Sequence, residues 1–154
     1  MDYYTIVLIR LVVAMLLGAL IGAERTFAGK VAGMRTFGLV AMGAALFVTT
    51  SEYAGFMFSA VVDPMRMGAA IVTGIGFLGA GLIFFQQEEH RLNGLTTAAG
   101  LWVVCGIGIA VGLDMFAIAT FATVITLVTF TIMWFIEEKI RKISKRNGHA
   151  DFLS

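Results

Sequence analysis

Long runs of apolar residues alternate with short charged connections along the 154 residues of this chain. Three windows, 67–87, 92–113 and 115–136, contain no Asp, Glu, Lys, Arg or His. Each can cross the roughly 30 Å hydrocarbon core of a bilayer, which takes about 20 helical residues. Windows 11–23 and 36–51 reach that length when a few flanking residues are added. The pattern predicts an all-α, polytopic membrane protein with five transmembrane helices, near 5–23, 33–51, 67–86, 94–113 and 115–136.

The apolar run from Tyr53 to Val62 is a segment that this count of spans leaves out. It is too short to cross a bilayer alone, since a crossing takes about 20 residues, and Pro64 follows it closely. We therefore expect a short re-entrant or interfacial segment near 53–62, with a sixth crossing as the alternative.

The basic residues predict how the chain is oriented. The connection after the first span carries Arg25, Lys30 and Arg35, and five more basic residues lie in the segment 139–146. Five crossings place both segments on one side of the membrane, which the positive-inside rule makes the cytoplasmic side. The amino terminus is then expected outside and the carboxyl terminus in the cytoplasm.

The composition supports membrane insertion and narrows the function. Charged residues make up 14% of the chain, against about 25% in soluble domains, and the mean hydropathy is +0.92. A net charge of +1 gives no reason to expect nucleic acid as a partner. The start lacks a basic signal-peptide region, so we expect the first span to be retained. The spans hold no His–carboxylate, Ser–base or metal-ligand set, so we predict neither an enzyme nor a cofactor; Mg²⁺ binding is not indicated by the sequence itself.

The stretch TGIGFLGAG at 73–81 contains the Gly-x-Gly-x-x-Gly spacing of a dinucleotide-binding loop. Such a loop follows a strand and opens a helix, with an acidic ribose ligand downstream. Here the glycines lie inside an uncharged window, where an irregular backbone would leave peptide groups unsatisfied in lipid. We interpret the stretch as a membrane helix. A helix broken at these glycines, as transporters use to expose carbonyl groups to ions, is the alternative.

Helical periodicity divides the third span into two faces. One is bulky and is expected to face lipid or a groove: Met67, Ile71, Ile75, Leu78, Leu82 and Phe85. The other is flat and lets a neighbouring backbone approach closely. Spans three and four should therefore form a tight antiparallel pair with span one nearby, and span five should be the most lipid-exposed. The candidate helix-packing residues are Gly18, Gly22, Ala69, Thr73, Gly74, Gly76, Ala80, Gly81, Ala98, Cys105, Gly108 and Gly112.

The polar residues near the span ends are candidates for a functional cluster. They are Glu24, Arg25, Arg35, Asp63, Arg66, Asn93, Thr96, Thr97 and Trp102. We expect Glu24 to pair with Arg35 or Arg25, unless these residues only anchor the boundary. Asp63 should cap the third span, and the threonines should cap the fourth span, bond back to its carbonyls, or line a polar surface.

Three further expectations concern partners of individual side chains. Arg66 should find Glu52 or Asp114 on its side of the membrane. Arg10 should be a shallow anchor that extends its charge outward. The indole N–H of Trp102 should bond Thr73 across the helix pair.

Several of these stretches together resemble the MgtC/SapB family of bacterial inner-membrane proteins. They are Gly18-Ala-Leu-Ile-Gly22-Ala-Glu24-Arg25, Ala32-Gly33-Met34-Arg35-Thr36, the Arg66 to Gly81 segment, and Gly94-Leu-Thr-Thr-Ala-Ala99 with Trp102. The resemblance implies a multi-pass inner-membrane protein linked to magnesium-limited growth and, in pathogens, to virulence. It also implies a regulator of other membrane proteins, the F-type ATP synthase among them. Ala70 and Phe37 depart from the polar residues that members often carry, which puts any role of those polar groups in doubt.

The resemblance covers the membrane part of the chain. We expect a transmembrane domain over 1–136 and a short basic juxtamembrane tail over 137–154, without the ACT-like domain of longer members. In the tail, Glu137 and Arg141, like Glu138 and Lys142, have i,i+4 spacing, so the tail should extend the fifth helix and rest on anionic lipid.

Two function classes follow. The first is a regulatory membrane protein that acts by helix–helix contact, as a homodimer or other homo-oligomer, or within a larger membrane complex. The second is an oligomeric channel or transporter for Mg²⁺ or another cation, which needs hard oxygen ligands along its path. Acidic residues occur only at the span ends, which favours the first class.

Overall fold

A computed structural model of the chain describes residues 2–59, 63–84 and 94–146. The described residues form five α-helices and no strand. They are α1 (Tyr3–Phe27), α2 (Met34–Phe58), α3 (Pro64–Phe84), α4 (Leu95–Gly112) and α5 (Phe116–Arg146). Each is long and apolar enough to cross a membrane. The predicted all-α membrane architecture with five spans is confirmed.

The second helix is longer than its predicted span. Over 25 residues it rises about 37 Å, more than the hydrocarbon thickness. It ends where Ser59 adopts the left-handed conformation, with a φ of 48°. The short re-entrant or interfacial segment expected near 53–62 is therefore not a separate element over 53–58, which form the last turns of α2. No glycine pair or proline interrupts the helix there, and positions 60–62 lie outside the described residues.

The second helix is central, and glycines of α1 and α4 approach it closely. A Cβ atom built on Gly18 of α1 would lie 2.8 Å from the Cβ of Ala41. One built on Gly112 of α4 would lie 2.8 Å from the Cβ of Val48. A Cβ atom built on Gly108 of α4 would collide with the carbonyl oxygen of Ala41. The three helices thus pack at backbone distance, which small residues permit.

The fifth helix covers the central helices with a narrow face. Ala119, Thr123, Thr126 and Phe130 follow one another at helical spacing and are buried. The hydroxyls of Thr123 and Thr126 donate to the carbonyls of Ala119 and Ala122, at 2.8 and 2.7 Å. Because these hydroxyls are satisfied within the helix, the face can be buried at little cost. The expectation that this helix is the most lipid-exposed is wrong, since α3 buries less of its surface.

The third helix is continuous from Pro64 to Phe84, so the broken-helix alternative is wrong. It turns its bulky side toward the protein: Ile75 packs against Ala44 and Cys105. The flat side, called here the outward face and formed by Ala69, Thr73, Gly76 and Ala80, is exposed, and a Cβ on Gly76 would meet no atom within 4 Å. The predicted use of the two faces is therefore reversed within the folded chain.

The reason lies in the fourth helix. Its glycines at 108 and 112 meet α2 rather than α3, while Ala98 and Cys105 lie toward α3. Gly79 is the only glycine of α3 whose Cβ would approach a described residue, at 3.7 Å from the Cβ of Ala98. Small residues on α4 leave room for large ones on α3, so the two helices are neighbours but do not pair through two flat faces.

Candidate functional site

A buried arginine ties together three parts of the bundle at one end. Arg10 on α1 is 5% exposed. Its Nε donates to Oδ1 of Asp114 at 2.7 Å, and its Nη2 donates to Oδ2 of the same carboxylate. Its Nη1 donates to Oε2 of Glu52 at 2.6 Å. One guanidinium thus joins α1 to the end of α2 and to the turn between α4 and α5.

The backbone of that turn places the carboxylate. Asp114 has a φ of 61°, in the left-handed region that short polar residues tolerate better than most. Met115 N donates to the carbonyl of Ala110 at 2.8 Å, which closes the end of α4. The hydrogen bonds from Arg10 lower the pKa of Asp114, although partial burial opposes the shift. The carboxylate therefore stays charged opposite the guanidinium.

Two expectations about this end are wrong. Arg10 does not extend outward as an anchor, because two carboxylates hold it in the interior. Both acids expected as partners of Arg66, Glu52 and Asp114, form ion pairs with Arg10 instead. Arg66 is exposed, and its backbone N–H donates to the carbonyl of Asp63. The sequence did contain a signal for this cluster. Arg10, Glu52 and Asp114 lie near the ends of spans one, two and four, which fall on the same predicted side of the membrane.

Tyrosines lie beside this ion cluster. The rings of Tyr3 and Tyr53 stack with centroids 5.1 Å apart, and the hydroxyl of Tyr3 donates to the carbonyl of Thr49 at 3.3 Å. A pocket of about 430 Å³ opens here, lined by Tyr3, Tyr4, Glu52, Tyr53 and Phe56. Aromatic stacking and the arginine therefore join α1 to α2 at the same end.

A second buried arginine lies at the other end of α1. Arg25 is 4% exposed, and its Nε donates to Oε2 of Glu24. Its guanidinium carbon lies 3.8 Å from the ring centroid of Phe130 on α5, a cation–π geometry. Of the two partners considered for Glu24, the structure brings Arg25 to it. Arg35 is exposed at the start of α2.

The other polar candidates that the structure describes lie at the start of α3 and along α4. Thr97 is buried and Thr96 exposed at the start of α4, and Asp63 is exposed at the start of α3. The side chain of Trp102 is 56% exposed. The hydroxyl of Thr73 donates to the carbonyl of Ala69 at 2.9 Å, on its own helix. The expected bond from Trp102 to Thr73 is therefore wrong, and Asn93 lies outside the described residues.

Metal ligands are not grouped in the part of the chain that the structure describes. No three His, Cys, Asp or Glu side chains come together there. Cys105, the single cysteine of the chain, is buried between α3 and α4. The cluster at Arg10 is thus an interhelical ion-pair network, and the one at Arg25 combines an ion pair within α1 with a cation–π contact to α5. Among the described residues, none packs on the outward face of α3.

Five apolar helices held by buried arginines and close glycine contacts define a polytopic membrane protein. The family model described as "MgtC family" matches residues 11–139, and the chain belongs to this family. It is 49% identical over 120 residues to "Protein MgtC" of Salmonella typhimurium strain LT2, which covers 78% of this chain and 49% of that protein. The predicted family resemblance is confirmed.

Two further relatives carry different names. "Putative magnesium transporter YhiD" of Escherichia coli strain K12 is 40% identical over 130 residues, covering 81% of this chain and 59% of that protein. "Protein SrpB" of Synechococcus elongatus is 41% identical over 130 residues, covering 79% and 71%. The chain spans about half the length of the MgtC proteins it matches. No solved structure matches the chain significantly.

Proposed function

We propose that this chain is a small regulatory protein of the bacterial inner membrane that acts by helix–helix contact through the outward face of α3. The observation that carries the proposal is the contrast between the glycine faces. Those of α1 and α4 are buried against α2, while Ala69, Thr73, Gly76 and Ala80 of α3 are exposed.

The chemistry of this face suits a second helix. Small side chains let two backbones approach within dispersion contact and within Cα–H···O distance. The hydroxyl of Thr73 is already bonded within α3, so the face carries no unsatisfied polar group at that residue. A second copy of the chain, or a helix of a larger membrane complex, can therefore cover the face at little desolvation cost. By the family resemblance the F-type ATP synthase is one such complex, and magnesium limitation and virulence are the settings.

Cation transport is the second candidate, because one relative is named as a magnesium transporter. Mg²⁺ requires oxygen ligands in near-octahedral geometry. The carboxylates of Glu52 and Asp114 converge, but the Arg10 guanidinium lies between them and neutralises part of their charge. The backbone carbonyls within α3 accept hydrogen bonds from the same helix, because that helix is continuous, so they are not bared to an ion. Both features favour the regulatory proposal.

A pair of glycine variants tests the contact. Gly76→Leu places a bulky side chain on the outward face of α3, and Gly106→Leu places the same side chain on α4. Both glycines are exposed, and a Cβ on either meets no atom within 4 Å, so neither change should disturb the fold. The readouts are chemical crosslinking in native membranes and Mg²⁺ flux into sealed liposomes that contain an indicator.

We expect wild type and Gly106→Leu to give the same crosslinked species and Gly76→Leu to lose it. No variant should raise Mg²⁺ entry above that of empty liposomes. Flux by the wild type that Gly76→Leu abolishes would support transport and refute the regulatory proposal. An unchanged crosslinking pattern in Gly76→Leu would show that the outward face of α3 is not the contact surface.

A further inference from the structure

An apolar groove runs between α2 and α3, on the side of α3 away from its outward face. Its volume is about 650 Å³. Its walls include Leu39, Gly43 and Phe47 from α2 and Ala70 and Gly74 from α3, and Arg35 lies at the end where α2 begins. The glycines leave the space open, since a Cβ on Gly43 or Gly74 would meet no atom within 4 Å.

The dimensions of the groove argue against a helix as its occupant. From Arg35 to Phe47 the groove follows α2 for roughly 18 Å at 1.5 Å per residue. A volume of about 650 Å³ over that length corresponds to a channel roughly 7 Å wide, narrower than the 10–12 Å diameter of a helix. The length matches one bilayer leaflet of about 15 Å rather than the whole core. An extended acyl chain fits both the width and the length of the groove.

The charge at the groove end indicates the headgroup. Arg10 and Arg25 each hold carboxylates, whereas no carboxylate in the described ranges lies within ion-pair distance of Arg35. Its guanidinium is exposed and offers paired N–H donors that match a phosphate. A cation at the mouth of an apolar groove is complementary to an amphiphile with an anionic head.

We propose that the groove between α2 and α3 binds an anionic phospholipid, with its phosphate on Arg35 and one acyl chain along Gly43 and Gly74. The site is distinct from the outward face of α3 and does not depend on the regulatory proposal. A lipid there fills the space between the peripheral α3 and the rest of the bundle. It would therefore bind as a structural ligand of defined stoichiometry, unlike the lipids that surround any membrane protein.

Native mass spectrometry of the purified full chain tests this site with two probes, phosphatidylglycerol and zwitterionic phosphatidylcholine. Arg35→Gln removes the headgroup contact, and Lys30→Gln is its control, since Lys30 is exposed on the same connection but does not line the groove. Gly43→Leu fills the groove. Its control, Gly106→Leu, adds the same side chain to an exposed glycine away from the groove.

We expect one retained phosphatidylglycerol per wild-type chain, preferred over phosphatidylcholine by roughly fivefold, the contribution of one basic residue near an anionic lipid. Arg35→Gln should lose that preference and Gly43→Leu should retain neither lipid, while both controls behave as wild type. Equal retention of the two lipids by the wild type, or an unchanged preference in Arg35→Gln, would overturn the proposal. A change in oligomer mass with unchanged lipid retention in Gly43→Leu would instead assign the groove to a protein partner and refute the lipid site.

Discussion

Arg10 and Asp114 are 104 positions apart in the chain and form a bidentate ion pair in which Nε and Nη2 each donate to one carboxylate oxygen. Glu52 completes the contact from α2. The arginine is buried while the two carboxylates are about half exposed. The cation inside the bundle is thus held by anions at its rim, and the three segments that carry these residues are tied together.

Replacing Arg10 with leucine should destabilise the protein by about 3 kcal/mol, the lower end of the range for breaking a buried ion pair, because the carboxylates left behind are partly solvated. Reversible unfolding in mixed micelles measures the change. Lys142→Gln breaks the exposed pair with Glu138 and should cost no more than about 0.5 kcal/mol. Equal losses in the two variants would show that the Arg10 cluster is no stronger than a surface pair.

The pH dependence of stability should report on Asp114. Its pKa is lowered in the folded protein by the hydrogen bonds from Arg10. The stabilisation is therefore fully present above about pH 4, the pKa of an unfolded Asp, and is lost as pH falls through the lower pKa of the folded state. Melting temperatures of wild type and Asp114→Asn between pH 3 and 7 should converge at the acidic end. A constant difference across this range would contradict the assignment.

Two glycines of α4 should respond differently to the same substitution. Gly108→Val places a branched side chain against the carbonyl of Ala41 and within 2.9 Å of the Cβ of Ala44, so the backbones must separate. We expect a loss of about 3 kcal/mol or more, the upper range for overpacking. Gly106→Val, on the exposed side of the helix, should cost less than about 1 kcal/mol.

The yield of monodisperse protein and its unfolding in mixed micelles distinguish these two variants. If both variants fold equally well, the close contact between α2 and α4 is not what the structure describes.

The contact between Arg25 and Phe130 should be measurable as a coupling energy. The guanidinium lies over the ring at 3.8 Å from its centroid and is 4% exposed. A double-mutant cycle with Arg25→Gln and Phe130→Leu should give a coupling of about 1–2 kcal/mol, the range for a desolvated cation–π pair. Phe130→Tyr keeps the ring face and should retain most of the stability. Additive single losses would mean that the two residues contribute independently.

Some of the chemistry was within reach of sequence reasoning and some was not. The tail that continues α5 and the ion pair of Glu138 with Lys142 at 2.8 Å follow from i,i+4 spacings along one helix. The sequence left Glu24 with two candidate partners, and only the structure selects Arg25. The side-chain faces of α3 could not be assigned in this way. A flat face and a bulky face are both compatible with burial, and the choice depends on the shape of α4, which offers Ala98 and Cys105 to α3.

The sequence by itself determined the number of spans, the approximate start of each and the family, because apolar length, charge and motif spacing are local properties of the chain. The tertiary structure alone decided which partner each arginine holds and which glycines are buried. Arg10 meets acids 42 and 104 positions away, and periodicity cannot predict such contacts. In a membrane helix both lipid and protein are apolar surroundings, so hydrophobicity does not distinguish the inward face from the outward one; only the fit between neighbouring helices does.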